Sequence, residues 1–117
     1  MINDYGIILL GGNTMNIKTI QNQNTDELFN GILTLKNIDE CYSFFCDLFT
    51  PRELEMLSQR FLIAKEFYNG ACFTDIDIKT RASSATIAKV KKELVYGNDG
   101  LKLVLNRLFN EEVNHEN

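Results

Sequence analysis

Residues Arg81–Leu94 read RASSATIAKVKKEL, small and polar in front and rich in lysine behind. On a helical wheel Ile87, Val90 and Leu94 share one face, while Ala85, Ala88, Lys89 and Lys92 share the opposite one. The preceding octet, FTDIDIKT (Phe73–Thr80), reads as a brief helix with Thr74 as its cap and Asp77 at the capping-box position. Arg81-Ala82-Ser83 form a tight turn between the two. Two short helices joined by about three or four residues are the pattern of a helix-turn-helix.

The flanks supply the frame for that pair. TPRELEMLSQRFLIAKEFYNG (Thr50–Gly70) is the clearest helix in the chain. Thr50 is its cap, Pro51 stands where a missing N–H is harmless, and Glu53 completes a capping box. Leu54, Leu57, Phe61, Ala64 and Phe67 recur at helical spacing, and Gly70 ends the run. Upstream, NTDELFNGILTL takes Thr25 as cap and puts Leu28, Phe29, Ile32 and Leu35 on one stripe. NIDECYSFFCDLF follows from Asn37 and is apolar nearly all round, through Ile38, Tyr42, Phe44, Phe45, Leu48 and Phe49. A short helix of that kind needs cover on most sides. A second copy of the chain is the simplest cover, with Leu28, Phe29, Ile32, Tyr42, Phe45 and Phe49 as the dimer core. Downstream, Gly97 closes the lysine-rich helix. Asn98 or Asp99 caps a last helix whose Leu101, Val104, Leu105 and Leu108 face inward. The chain thus reads as all-α, with six helices.

The 117 residues fit one domain, with a helical region at 25–109, a polar N-terminal arm at 1–24 and an acidic tail at 110–117. Gly11-Gly12 can be encoded as GGAGG, a ribosome-binding sequence, ahead of Met15. Residues 1–14 therefore read either as translated upstream leader or as part of a real arm. The run Ile7–Leu10 is too short to span a membrane. Cys41, Cys46 and Cys72 are odd in number and lack metal-ligand spacing, which suits reduced thiols in the cytoplasm and no metal site.

The formal net charge of −4 speaks against a general nucleic-acid binder. Local charge has the other sign: Lys79, Arg81, Lys89, Lys91 and Lys92 fall between positions 79 and 92 with no acid among them. Small residues beside long basic ones let a helix approach the major groove, and phosphate favours a helix N-terminus. The candidate DNA-contacting set is Lys79, Arg81, Ser83, Ser84, Ala85, Thr86, Ala88, Lys89 and Lys92. No Ser/His/Asp set, phosphate-cradling Gly-rich loop or His/Cys cluster suggests an enzyme or a catalytic residue.

FTPRELEMLSQRFLIAKEF followed by SSATIAKVKKELVYGNDGLKLVLNRL resembles the Trp repressor superfamily, and within it the YerC/YecD branch of Trp repressor-related proteins. The likeness runs from about Thr25 to Phe109, and its ATI and YGNDG motifs are specific at this spacing. It implies an intertwined homodimer whose helix-turn-helix elements sit in the major groove of double-stranded DNA, as a transcriptional regulator, most simply a repressor. The alternative is a helical homodimeric interaction protein that has lost specific DNA binding.

The resemblance also implies an effector pocket. Its matching positions are Thr50, Arg60, Thr86 and Lys89, the last a lysine where the family's tryptophan-binding members have arginine. Lysine lacks the planar fork that stacks on an indole and grips a carboxylate. Tryptophan is thus not the expected co-ligand, and no cofactor is expected; any other effector is unidentified. Two further departures bear on the motif. The family favours a small residue where Asp77 stands and glycine where Arg81 stands, so this pair is expected to be loosened or reangled if Asp77 is buried.

Overall fold

The computed structural model describes residues 14–110. The leader reading and the acidic tail beyond Asn110 lie outside the described residues. These form seven helices and no strand: α1 (Ile17–Ile20), α2 (Gln23–Ile32), α3 (Ile38–Leu48), α4 (Pro51–Tyr68), α5 (Phe73–Thr80), α6 (Ser84–Tyr96) and α7 (Gly100–Phe109). The described residues divide into two compact units, one of residues 16–59 and one of residues 14–15 with 60–110. Helix α4 belongs to both.

In the first unit, asparagines start the helices. Asn16 accepts from the Lys18 N–H, Asn22 from the Thr25 N–H and Asn37 from the Glu40 N–H, each at 2.9 Å. This corrects the reading of Thr25 as a cap. Thr25 lies inside α2, where its N–H is the donor to Asn22 and its hydroxyl bonds the Ile20 carbonyl. The polar run 16–24 also holds α1 and the first residues of α2, so six helices become seven. The reason is local: Asn satisfies orphan N–H groups as well as Thr does, so a polar, Asn-rich stretch can start helices. At α4 the expected capping box forms. The Thr50 N–H donates to Glu53 Oε1 at 2.8 Å and the Glu53 N–H to Thr50 Oγ1 at 3.2 Å. The Thr50 backbone bond, then its side chain, hold the Glu53 carboxyl below its usual range.

No residue of α2 or α3 is buried. Phe45 and Phe49 stack at 5.5 Å and Phe44 meets Phe45 edge-on at 5.3 Å. Phe29 is nonetheless 54 % exposed and Tyr42 64 %.

The second unit has a closed core of Ile63, Ala64, Ile76, Ala82, Ile87, Val90, Leu94 and Leu105, with nothing polar buried among the described residues. Helix α4 ends in a Schellman motif. Gly70 takes φ 95°, its N–H bonds Phe67 O, and the Ala71 N–H bonds Glu66 O. Helix α5 corrects a second cap: Cys72, not Thr74, holds the cap position, and its thiol donates to Asp75 Oδ2 at 3.2 Å without capping a backbone N–H. The α4 stop leaves the chain extended at Cys72, so α5 begins two residues earlier than Thr74 would have set. Two stripe assignments also change. Leu101 and Leu105 face the core, but Val104 and Leu108 are 44 % and 53 % exposed, as is Leu57 on α4 at 46 %.

Asp99, not Asn98, occupies the cap position of α7, in left-handed backbone and without a capping bond. Asn98 instead donates to Met15 O at 2.8 Å. A Cβ on Gly97 would sit 2.3 Å from Glu93 O. Gly97→Ala must therefore displace the end of α6, and a loss of about 1–3 kcal/mol is expected in denaturant titration.

Candidate nucleic-acid interface

Helices α5 and α6 meet through apolar residues from both. Ile76 and Ile87 are fully buried, and Ala82 in the turn is 7 % exposed. The pair is therefore packed, not loosened. Asp77 points to solvent and incurs no desolvation penalty. Arg81 does adopt the glycine-type conformation, at φ 59°. Left-handed backbone costs a non-glycine residue about 1–2 kcal/mol, and glycine gives back about 0.5–1 kcal/mol through its greater chain entropy. Arg81→Gly is expected to raise stability by up to about 1 kcal/mol, read as an increase in thermal midpoint.

The start of α6 is set by Ser83. Its Oγ accepts from the Thr86 N–H at 3.1 Å and donates to Thr86 Oγ1 at 2.9 Å. Ser83 and Thr86 thus form one bonded unit, with Thr86 half-buried. Thr80 supports the turn from the other side: its Oγ1 accepts from the Ala82 N–H at 3.2 Å and donates to Ile76 O at 2.8 Å. With Ile87, Val90 and Leu94 buried in the core, Ser84, Ala85, Ala88 and Lys92 are exposed along α6.

The basic stretch is less open than its sequence. Glu66 of α4 pairs with Lys79 at 2.9 Å, and Glu93, one turn beyond Lys89, pairs with it at 2.9 Å. Lys91 lies over the Phe67 ring at 5.5 Å. Arg81 is exposed. Glu93 also accepts a bond from Thr14 Oγ1 at 2.9 Å. Burial pushes the Glu93 carboxyl up, but bonds from Lys89 and Thr14 and the charges of Lys89 and Lys92 outweigh it and hold it below the usual range. Glu66, Glu93 and Thr14 were absent from the candidate set. The Lys89–Glu93 spacing of four on a helix was a legible signal; the other two contacts join residues far apart in sequence.

Of the four effector positions, Thr50 belongs to the first unit, engaged in its capping box. Arg60, Thr86 and Lys89 belong to the second. Lys89 is held by Glu93 and Thr86 by Ser83, while Arg60 is exposed on α4. Among the described residues no group of three His, Cys, Asp or Glu could hold a metal ion, and no helix is long and apolar enough to cross a membrane.

The Trp repressor protein family model matches residues 23–109. An uncharacterized protein of Bacillus subtilis (strain 168), YerC, is 42 % identical over 98 residues, covering 84 % of this chain and 94 % of that one. A Trp repressor candidate from Staphylococcus aureus, known from its crystal structure, superposes with a TM-score of 0.77 at 43 % identity, over 81 % of this chain and 95 % of that one. The crystal structure of a TrpR-like protein from Eubacterium eligens gives a TM-score of 0.74 at 45 % identity, over 78 % and 94 %. With an all-helical fold, a packed α5–turn–α6 pair and a family match spanning most of its length, this chain belongs to the Trp repressor family.

Proposed function

We propose that this protein is a cytoplasmic, sequence-specific regulator of transcription, most simply a repressor, that binds double-stranded DNA as a homodimer. The observation that carries the reading is the two-sided character of α6. Ile87, Val90 and Leu94 anchor it in the core, while Ala85, Ala88 and Lys92 line the solvent side behind a serine-rich start. A rigidly seated helix with small and basic residues outward is what the major groove accepts. The apolar residues left uncovered in α2 and α3 support the homodimer, with Leu28, Phe29, Ile32, Tyr42, Phe45 and Phe49 at its core. The protein acts by binding, with no catalytic step.

The second reading, an interaction protein without specific DNA binding, is favoured by the acids that neutralise Lys79 and Lys89. A salt-stepped pulldown of fragments of the source genome, with sequencing of what elutes last, separates the two. A palindromic sequence that resists moderate salt supports the regulator; uniform or absent retention overturns it. Repeating the titration with tryptophan tests the effector. Because Glu93 already holds Lys89, and lysine is a poor indole clamp, unchanged operator affinity is expected. A clear rise in affinity would restore tryptophan as co-ligand.

A further inference from the structure

Phe73, Ala88, Lys91, Lys92, Val95 and Tyr96 line a hollow of about 320 Å³ on α5 and α6. Its apolar part is open to solvent: Phe73, Val95 and Tyr96 are 37 %, 47 % and 77 % exposed. Two lysines, Lys91 and Lys92, line it beside this apolar surface. The hollow therefore suits a segment that is acidic and carries an apolar side chain.

Such a segment begins nearby. Helix α7 ends against the end of α4, where the Asn110 side chain donates to Tyr68 Oη at 2.8 Å and the Phe109 and Tyr68 rings lie 6.0 Å apart. The residue before Tyr68, Phe67, carries Lys91 over its ring. The residues after Asn110 read EEVNHEN, with Glu111, Glu112 and Glu116, one valine and no Lys or Arg. Extended, seven residues span at most about 25 Å.

We propose that residues 111–117 dock in this hollow on their own chain, Val113 against the apolar surface and the glutamates toward Lys91 and Lys92. The docked segment then competes with nucleic-acid phosphate for the exposed side of α6. The docking stands apart from the DNA-binding reading; only the competition rests on it. Attraction between such exposed charges is weakened by salt, so the segment yields where phosphate density is high.

The test compares the full chain with its E111Q/E112Q/E116Q variant. Without DNA, backbone amide shifts between the two are expected to cluster at Phe73, Lys91, Val95 and Tyr96; no change there overturns the docking. With a fluorescent duplex at low salt, the variant is expected to bind about tenfold more tightly, the equivalent of about one phosphate contact regained, and the gain should vanish at high salt. The same comparison in a Lys91→Gln background separates docking from mere loss of negative charge. Most of the gain should disappear there, and a full gain overturns the proposal. If no form binds the duplex, the DNA-binding reading fails and the amide shifts alone decide the docking.

Discussion

Replacing Lys89 and Lys92 together with alanine is expected to weaken DNA binding about a hundredfold at moderate salt while far-UV circular dichroism stays helical. Each phosphate neutralised by a lysine contributes about 0.9 to the slope of log affinity against log salt, or about tenfold at 0.1 M. Two lost contacts should therefore lower that slope by about 1.8. Both side chains lie away from the core made by Ile87, Val90 and Leu94, so the fold has no reason to suffer. The converse substitution acts in the other direction. Glu93→Gln removes the acid that holds Lys89 at 2.9 Å and should raise affinity. Electrophoretic shifts or fluorescence anisotropy across a salt series would read all of these. An unchanged affinity in the double variant would remove α6 from the interface.

The second large effect is expected at the opposite end of the chain. Phe29→Asp with Phe45→Asp should convert the proposed dimer into a monomer and unfold residues 16–59, seen by light scattering and by loss of helicity. Helices α2 and α3 bury no residue within the chain, although their apolar side chains are numerous. Phe29 alone leaves more than half its surface in water. Short helices without tertiary cover are unstable in water, so a charge on each of these two faces removes the reason for both the assembly and the local fold. The core around Ile63, Ile76 and Ile87 lies in the other unit and should persist. A double variant that remained a helical dimer would relocate the interface, and the exposed Val104 and Leu108 of α7 would be the next surface to examine.

Whatever rests on short-range chemistry was legible in the sequence. Pro51 behind Thr50 with Glu53 in place sets one geometry for the start of α4, and the structure has it. The alternation that buries Ile87, Val90 and Leu94 needed only the period of a helix. The left-handed backbone of Arg81 was foreshadowed only by the resemblance, whose members favour glycine there; the arginine itself carries no such signal. Caps chosen among near-equivalent residues were not legible. Asn22 competes with Thr25 at similar energy, and at Cys72 no side chain caps the backbone at all, so the neighbouring helix ends decide.

The sequence by itself determined the helical class, the α5–turn–α6 pair and the side of α6 that enters the core, because each follows from spacing within about a dozen residues. Only the tertiary structure decided how much positive charge the α5–turn–α6 pair presents. Glu66 reaches Lys79 from another helix, and Thr14 reaches Glu93 from the far end of the chain. Asp77 came to rest in solvent for a comparable reason: the crossing of α5 on α6 selects which residue of each helix is buried, and it selected Ile76. An electrostatic pair is set by distance in space, which a linear count of acids and bases between positions 79 and 92 does not contain.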